Sequence, residues 1–314
     1  MRYVFIINPA AGKKDKYLDL VPKIEEFFKD KQEEYKILFS KNRGDAGVKA
    51  RKEAETGDEV LIFACGGEGT VFEILNGVAG YNNVTLSVVP VGSANDFLKS
   101  FGNEHKEKFF DLNELINGFT VDMDVIKADE FYCLNGCSVG MDAVVASNMA
   151  LFKHWPLVSG PMAYKLAIVK TFLGKLGVRL ELKIDDNKPI TDNLLFAVVG
   201  NGPAYGGGYY ATPKALPFDG HLDYTTIKTI SKLKIPFFLK DYENGNCEKF
   251  SFCSTGSCQK LSFKANKPLP INLDGEIFER SEMQFEILKD FIKFRLPKSL
   301  EFLKEQKRQK ALEI

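Results

Sequence analysis

Along the first third of the chain, short unbroken apolar runs alternate with amphipathic stretches. Residues 3–7, 35–39, 60–64 and 85–89 read as strands, 18–28 and 46–55 carry apolar side chains at helical spacing, and further helical segments follow 60–64 and 85–89. This alternation predicts a parallel sheet covered by helices on both faces. The strand-like runs are continuous, as expected for strands buried on both sides. After about residue 121 the rhythm changes. Strand-like runs at 129–133, 179–184, 194–199, 222–227, 259–264, 283–288 and 291–296 follow one another through turns such as Asp185-Asp186-Asn187, interrupted by one helical region at 162–176. The pattern predicts an N-terminal three-layer α/β domain over 1–122 and a β-rich, sandwich-like domain over 123–296. A helix-like tail at 297–314 is expected to pack back on the first domain. There is no internal repeat.

Composition changes this picture little. The 314 residues suit about two domains, and 45% apolar with 27% charged residues excludes a disordered or fibrous chain. Lys and Arg total 42, as do Asp and Glu, so no global charge attracts nucleic acid. No apolar run approaches the roughly 20 residues that span a bilayer, and the N-terminus lacks the apolar core of a signal peptide, so a cytoplasmic location is expected. The six cysteines form no C-x-x-C pair and are expected to be reduced and structural. His105, His154 and His221 are too scattered to suggest a metal cluster or a triad.

Candidate chemistry gathers where three predicted strands end. The first ends in Asn8-Pro9-Ala10-Ala11-Gly12, the third in Gly66-Gly67-Glu68-Gly69-Thr70, and the fourth in Pro90-Val91-Gly92-Ser93-Ala94-Asn95-Asp96. Ligands bind at the carboxyl ends of strands in an open parallel sheet, and glycines let backbone N–H groups approach phosphate oxygens. Three such turns describe one crevice suited to a nucleotide. Thr70-x-x-Glu73 and Ser93-x-x-Asp96 also read as capping boxes, which is compatible with phosphate at a helix N-terminus. The loop is not a Walker A motif, and Phe72 stands where G-x-G-x-x-G needs its third glycine.

The chain resembles the diacylglycerol kinase catalytic family of lipid kinases, which includes bacterial lipid kinases and sphingosine kinases. The resemblance rests on Asn8-Pro9-x-x-Gly12, on Gly66-Gly67-Glu68-Gly69-Thr70-Val71-Phe72-Glu73 with Asn76-Gly77, and on Pro90-x-Gly92-Ser93-x-Asn95-Asp96-Phe97. It continues through Gly140-x-Asp142-Ala143, Gly200-Asn201-Gly202 with Tyr205-Gly206-Gly207-Gly208, Asp219-Gly220-x-Leu222-Asp223 and Asp274-Gly275-Glu276. It implies transfer of the γ-phosphate of ATP to a lipid hydroxyl, most simply that of diacylglycerol. The first domain would hold nucleotide, the second the lipid, and the chemistry would lie in the interdomain cleft. By match, ATP would contact Asn8, Pro9, Ala10, Ala11, Gly12, Ser40, Gly66, Gly67, Glu68, Gly69, Thr70, Val71, Phe72 and Ser93, with Asn95 and Asp96 in the same turn. Glu276 would accept the hydroxyl proton, with Asp274 beside it. Mg²⁺ would be held by Asp219 and the backbone oxygens of Leu216 and His221, with Glu68, Asp96 and Asp274 as further acids near the metal.

These roles suit the chemistry. An alcohol attacks well only if a carboxylate accepts its proton, and a triphosphate needs a hard, oxygen-loving cation. The chain departs from the family pattern at three positions: Glu68 stands for Asp, Phe72 for Asn and Ser93 for Thr. A kinase of a soluble substrate remains open, since NAD kinases share a Gly-Gly-Asp-Gly-Thr turn, as does a catalytically degenerate nucleotide- or lipid-binding module. Gly206-Gly207-Gly208 reads as a tight turn rather than a phosphate loop, and Cys247, Cys253 and Cys258 lack a fourth metal ligand. Between Asp142 and Glu181 there is no acid, while Lys153, Lys165, Lys170, Lys175 and Arg179 stand among apolar residues. Peripheral contact with an anionic membrane and ordinary helix packing are both open for this segment. No motif fixes an oligomeric state; a homodimer is compatible.

Overall fold

The computed structural model describes residues 1–12, 16–92, 95–152, 155, 160–174 and 176–301. The chain divides into two compact units, the first formed by Met1–Val125, Pro217–Gly220 and Leu288–Ile314, the second by Ile126–Leu216 and His221–Ile287.

The first unit is the strand–helix alternation. It runs β1 (Arg2–Ile7), α1 (Lys16–Phe28), β2 (Tyr35–Phe39), α2 (Asp45–Ala54), β3 (Val60–Cys65), α3 (Glu68–Val78) and β4 (Val84–Val89). Two 3₁₀ turns and a short α4 (Leu112–Ile116) lead into β5 (Phe119–Ala128). Strands β1 and β2, β1 and β3, and β3 and β4 pair in parallel, giving the spatial order β4-β3-β1-β2. β3 and β4 are buried along their whole length, which is why their sequences do not alternate. From β1 the chain steps through α1 to β2 on one side, then returns to β3 on the other. The topological switch point therefore lies between the carboxyl ends of β1 and β3.

The second unit carries β6 (Phe131–Cys133), β7 (Gly136–Gly140), α5 (Met141–Phe152), α6 (Gly160–Leu173), β8 (Val178–Ile184), β9 (Ile190–Gly200), β10 (Leu222–Lys228), α7 (Ile235–Glu243), β11 (Cys253–Cys258) and β12 (Lys260–Leu273). Its sheet is antiparallel, in the order β11-β10-β9-β7-β12, with β8 joined to β9 and β12. A core of Leu195, Phe196, Val198, Ile227, Ile235, Phe238 and Tyr242 seats α7 on it.

The last strand, β13 (Glu276–Leu296), differs most from expectation. The two runs at 283–288 and 291–296 belong to one continuous 21-residue strand, within which Asp290 takes φ 50°. Its first part pairs with β12 in the second unit; in the first unit Lys293 and Phe294 pair in parallel with Thr85 and Leu86 of β4. The run at 259–264 likewise extends to Leu273 across a register shift between Lys264 and Leu269, where Asn266-Lys267-Pro268 interrupts the pattern. The division falls after Val125 where the sequence suggested 122, and the return to the first unit starts at Leu288 rather than 297. In the tail, Leu300 is buried and the Ser299 N–H donates to Glu114 at 2.8 Å; residues 302–314 lie outside the described residues. Among the described residues no helix is long and apolar enough to cross a membrane.

Candidate active site

The turns after β1, β3 and β4 meet at the switch point of the first unit. Asn8 begins the first turn: its N–H donates to the Cys65 carbonyl at 3.0 Å, its Oδ1 accepts from the Ala10 N–H at 3.0 Å, and its Nδ2 donates to Thr70 Oγ1 at 3.1 Å. One side chain thereby folds the Pro9–Gly12 turn and ties it to the start of α3. Contact with the third turn is backbone against backbone. A Cβ on Gly12, whose φ is +77°, would lie 2.1 Å from the Val91 carbonyl oxygen, and one on Gly92 would lie 2.5 Å from the Gly67 Cα. Only glycine permits this approach. Glu68 adds a polar tie, its Oε1 accepting the Asp96 N–H at 2.9 Å, while Lys99 pairs with Asp96 at 2.9 Å. Ser40, at the end of β2, donates its N–H to the Ile7 carbonyl at 2.8 Å and so sits beside the first turn.

The crevice offers donors. The N-cap of α3 is Gly67, which provides no side-chain cap, so the positive end of the helix is open to an external anion. Asn95 is buried at φ 107°; its Nδ2 donates to the Gly66 carbonyl at 3.3 Å, and its buried Oδ1 has no hydrogen-bond partner among the described residues. The uncapped start of α3 is a donor set that suits a phosphate, whereas Asn95 Oδ1 is an acceptor and suits a donor group. Val71 and Phe72 point into the core, and the Phe72 carbonyl accepts from Asn76 Nδ2. Ser93 lies outside the described residues. The capping-box pattern is differently used: Glu73 turns away from its own helix, and its two oxygens accept the N–H groups of Gly44 at 2.7 Å and Ala46 at 3.2 Å, closing the start of α2.

In the second unit Asp274 and Gly275 form a two-residue hairpin loop between β12 and β13. Their φ values of 47° and 89° are those of a type I′ turn, for which Asp-Gly is a favoured sequence. Asn272 Oδ1 accepts the Gly275 N–H at 2.7 Å. The Asp274 carboxylate, 6% exposed, accepts from the backbone N–H groups of Leu134 at 2.6 Å, Asn135 at 3.1 Å and Gly136 at 2.8 Å. Burial pushes this carboxyl up to about 6 against the pull of those N–H groups. Glu276 follows directly as the first residue of β13, half-buried, opposite Leu273 in the ladder. The turn thus fixes the backbone from which Glu276 projects, while Asp274 is committed to the 134–136 segment.

Two features escaped the sequence reading. Asp124, fully buried in the first unit, accepts from the Gly220 N–H at 2.6 Å and from the Asp290 N–H at 2.8 Å, while its own N–H donates to the Pro217 carbonyl at 3.0 Å. It fastens the 217–220 turn that carries Asp219; the signal was an acid set in the apolar run Met123-Asp124-Val125-Ile126. Leu216 and His221 flank that turn in sequence. One carboxylate with two backbone oxygens is the hard oxygen set that suits Mg²⁺. Among the described residues no three His, Cys, Asp or Glu side chains gather to hold a metal. The second feature is a buried chain of hydroxyls. Tyr205 Oη donates to Asp142 Oδ2 at 2.9 Å and Tyr242 Oη to Tyr205 Oη at 3.2 Å, with Asp142 raised chiefly by burial. The glycine run 206–208 makes the tight turn between Tyr205 and Tyr209.

Fold and site together define a two-domain α/β protein whose first unit joins three glycine-bearing turns at its switch point and whose second is β-rich. The description "Diacylglycerol kinase catalytic domain" matches residues 2–128, and "YegS C-terminal NAD kinase beta sandwich-like domain" matches 135–294. The chain belongs to this lipid kinase family. It is 30% identical over 237 residues to a Shewanella frigidimarina protein named "Probable lipid kinase YegS-like", covering 74% of this chain and 75% of that one. It is 26% identical over 291 residues to "Putative lipid kinase YtlR" of Bacillus subtilis, covering 88% and 93%. A crystal structure described as a "putative diacylglycerol kinase" from Bacillus anthracis shares the fold, with TM-score 0.72 at 24% identity over 95% of this chain and 98% of the other.

Proposed function

We propose that the protein transfers the terminal phosphoryl group of ATP to a lipid hydroxyl, with diacylglycerol as the substrate and phosphatidic acid as the product. The observation that carries this reading is the junction of Asn8, Gly12, Gly67 and Gly92 beside the open N-terminus of α3, in a chain of the lipid kinase family. The α3 N–H groups and the 8–12 turn bind the phosphates, Ser40 and Thr70 lend hydroxyls, and Asn95 completes the pocket wall. Asp219 and the Leu216 and His221 carbonyls would hold Mg²⁺, which would supply charge neutralisation when bound. Glu276 accepts the proton of the attacking hydroxyl, and Asp274 acts as a positioning residue through the turn it closes.

The test is transfer of labelled γ-phosphate into a mixed lipid extract, with identification of the product. Glu276→Gln should lower transfer by roughly 10²-fold or more, the usual contribution of a general base, with nucleotide affinity unchanged. Undiminished turnover in that variant removes Glu276 from the mechanism, and a labelled product other than phosphatidic acid replaces diacylglycerol as substrate.

A further inference from the structure

The three most exposed of the large apolar side chains described lie on neighbouring elements of the second unit. Leu173, the last residue of α6, is 82% exposed; Leu233 and Phe237, at the entry to α7, are 83% and 80% exposed. Lys232 joins the two elements. Its Nζ donates to the carbonyl of Phe172 and, at 2.8 Å, to that of Gly174, which are acceptors left over at the negative end of α6.

Neither helix is merely loose. On α7, Ile235, Phe238 and Tyr242 enter the core, which leaves Leu233 and Phe237, four residues apart, facing outward. On α6, Ala163, Ala167 and Thr171 are buried, while Met162, Val169 and Leu173 are each more than half exposed. Positions 162, 169 and 173 fall on one stripe of a 3.6-residue helix, and Lys165 lies on the same stripe. The lysines alone wind around this helix, but its exposed apolar residues do not.

The charge around these side chains is predominantly positive. Lys165, Lys170, Lys232, Lys234 and Lys240 lie in the same segments; no acid occurs from 143 to 180, and the acids of α7 stand at its far end, Asp241 paired with Lys249 at 3.2 Å and Glu243 exposed as the last residue. Apolar residues within a rim of excess positive charge suit the headgroup region of an anionic bilayer, where side chains enter the acyl boundary and lysines meet phosphate. A second copy of the chain fits less well, because a two-fold contact through this face would set lysine against lysine.

We propose that the outer stripe of α6 and the entry to α7 form a docking surface for an anionic lipid bilayer. Its purpose, delivery of a membrane-borne substrate, rests on the lipid kinase reading; its existence does not. The test is co-sedimentation of the full-length protein with phosphatidylcholine vesicles, with and without phosphatidylglycerol. The wild type should sediment with the anionic vesicles and be released by high salt. The double variant Leu233→Gln/Phe237→Gln, and separately Lys234→Gln/Lys240→Gln, should bind them at least about tenfold more weakly while keeping the wild-type melting temperature. Three results overturn the proposal: no wild-type binding to anionic vesicles, undiminished binding by both folded variants, or a wild-type dimer that the apolar variant dissociates. Phosphorylation of a short-chain lipid dispersed below its aggregation limit keeps the two readings apart. If the docking surface is as proposed, that rate is equal in wild type and variants; if no such transfer occurs at all, the kinase reading falls while the vesicle result stands.

Discussion

Asp274 illustrates how one residue can serve a site without offering itself to a substrate. Three backbone N–H groups converge on its carboxylate, yet burial prevails and its pKa rises from 3.8 to about 6. A carboxyl whose folded pKa lies above its unfolded value binds a proton more readily in the native state. Its stabilising contribution is therefore full below pH 4 and is lost as pH rises through 6. Asp274→Asn keeps a residue that tolerates φ 47° but removes the titration. Urea midpoints at pH 4.5 and pH 7 should show the wild type losing ground to the variant at the higher pH, whatever the offset between them. A pH-independent difference would mean that the carboxyl keeps its ordinary pKa. Gly12 is a simpler case at the same scale. Gly12→Ala places a methyl group 2.1 Å from the Val91 oxygen at φ +77°, and should cost about 2 kcal/mol of stability together with most nucleotide affinity, read by calorimetry.

At the scale of elements, α2 and α3 are coupled through Glu73. The same residue that completes an apparent capping box within its own helix instead satisfies two N–H groups at the start of α2. Glu73→Ala should destabilise the protein by about 1–2 kcal/mol, the range for a lost helix cap, as measured by denaturant unfolding. A change within about 0.5 kcal/mol, typical of neutral surface sites, would show that water replaces it. Local spacing could suggest a cap but not which helix receives it. The same limit explains what was legible elsewhere. β1, β3 and β4 could be read because burial on both faces leaves continuous apolar runs, and their turns because close backbone approach requires glycine. β7 was missed because Gly-Cys-Ser-Val-Gly is buried but poor in strand-forming residues, and α7 announces itself only through Pro236 near its first turn. The single strand β13 reads as two because the polar pair Lys289-Asp290 breaks its apolar pattern; what carries the strand through is the Asp290 N–H donating to Asp124, a partner 166 residues away.

For the whole molecule, the important departure is that the first unit is discontinuous. Periodicity identifies a strand but not the strand beside it, so nothing in residues 1–125 revealed that β4 requires residues 293–294 as its neighbour. The dependence is chemical as well as topological. Ser87 Oγ donates to the Arg295 carbonyl at 3.0 Å, Arg295 Nη1 donates to the Gly118 carbonyl at 2.7 Å, and the rings of Phe97 and Phe294 meet edge-on at 5.7 Å. Without the distant segments, Asp124 would lose the hydrogen bonds it accepts from the Gly220 and Asp290 N–H groups, each worth about 1.5–3 kcal/mol when the acceptor is charged. Together they approach the entire stability of a small domain. A fragment comprising residues 1–128, although it spans the matched catalytic domain, should therefore lack a cooperative unfolding transition and show poor amide dispersion by NMR. The full chain should unfold sharply. If the fragment shows a sharp transition of its own, the segments at 217–220 and 288–301 are accessories to a self-sufficient nucleotide unit. If it does not, the nucleotide unit exists only once the chain beyond β12 has been made and has returned to it.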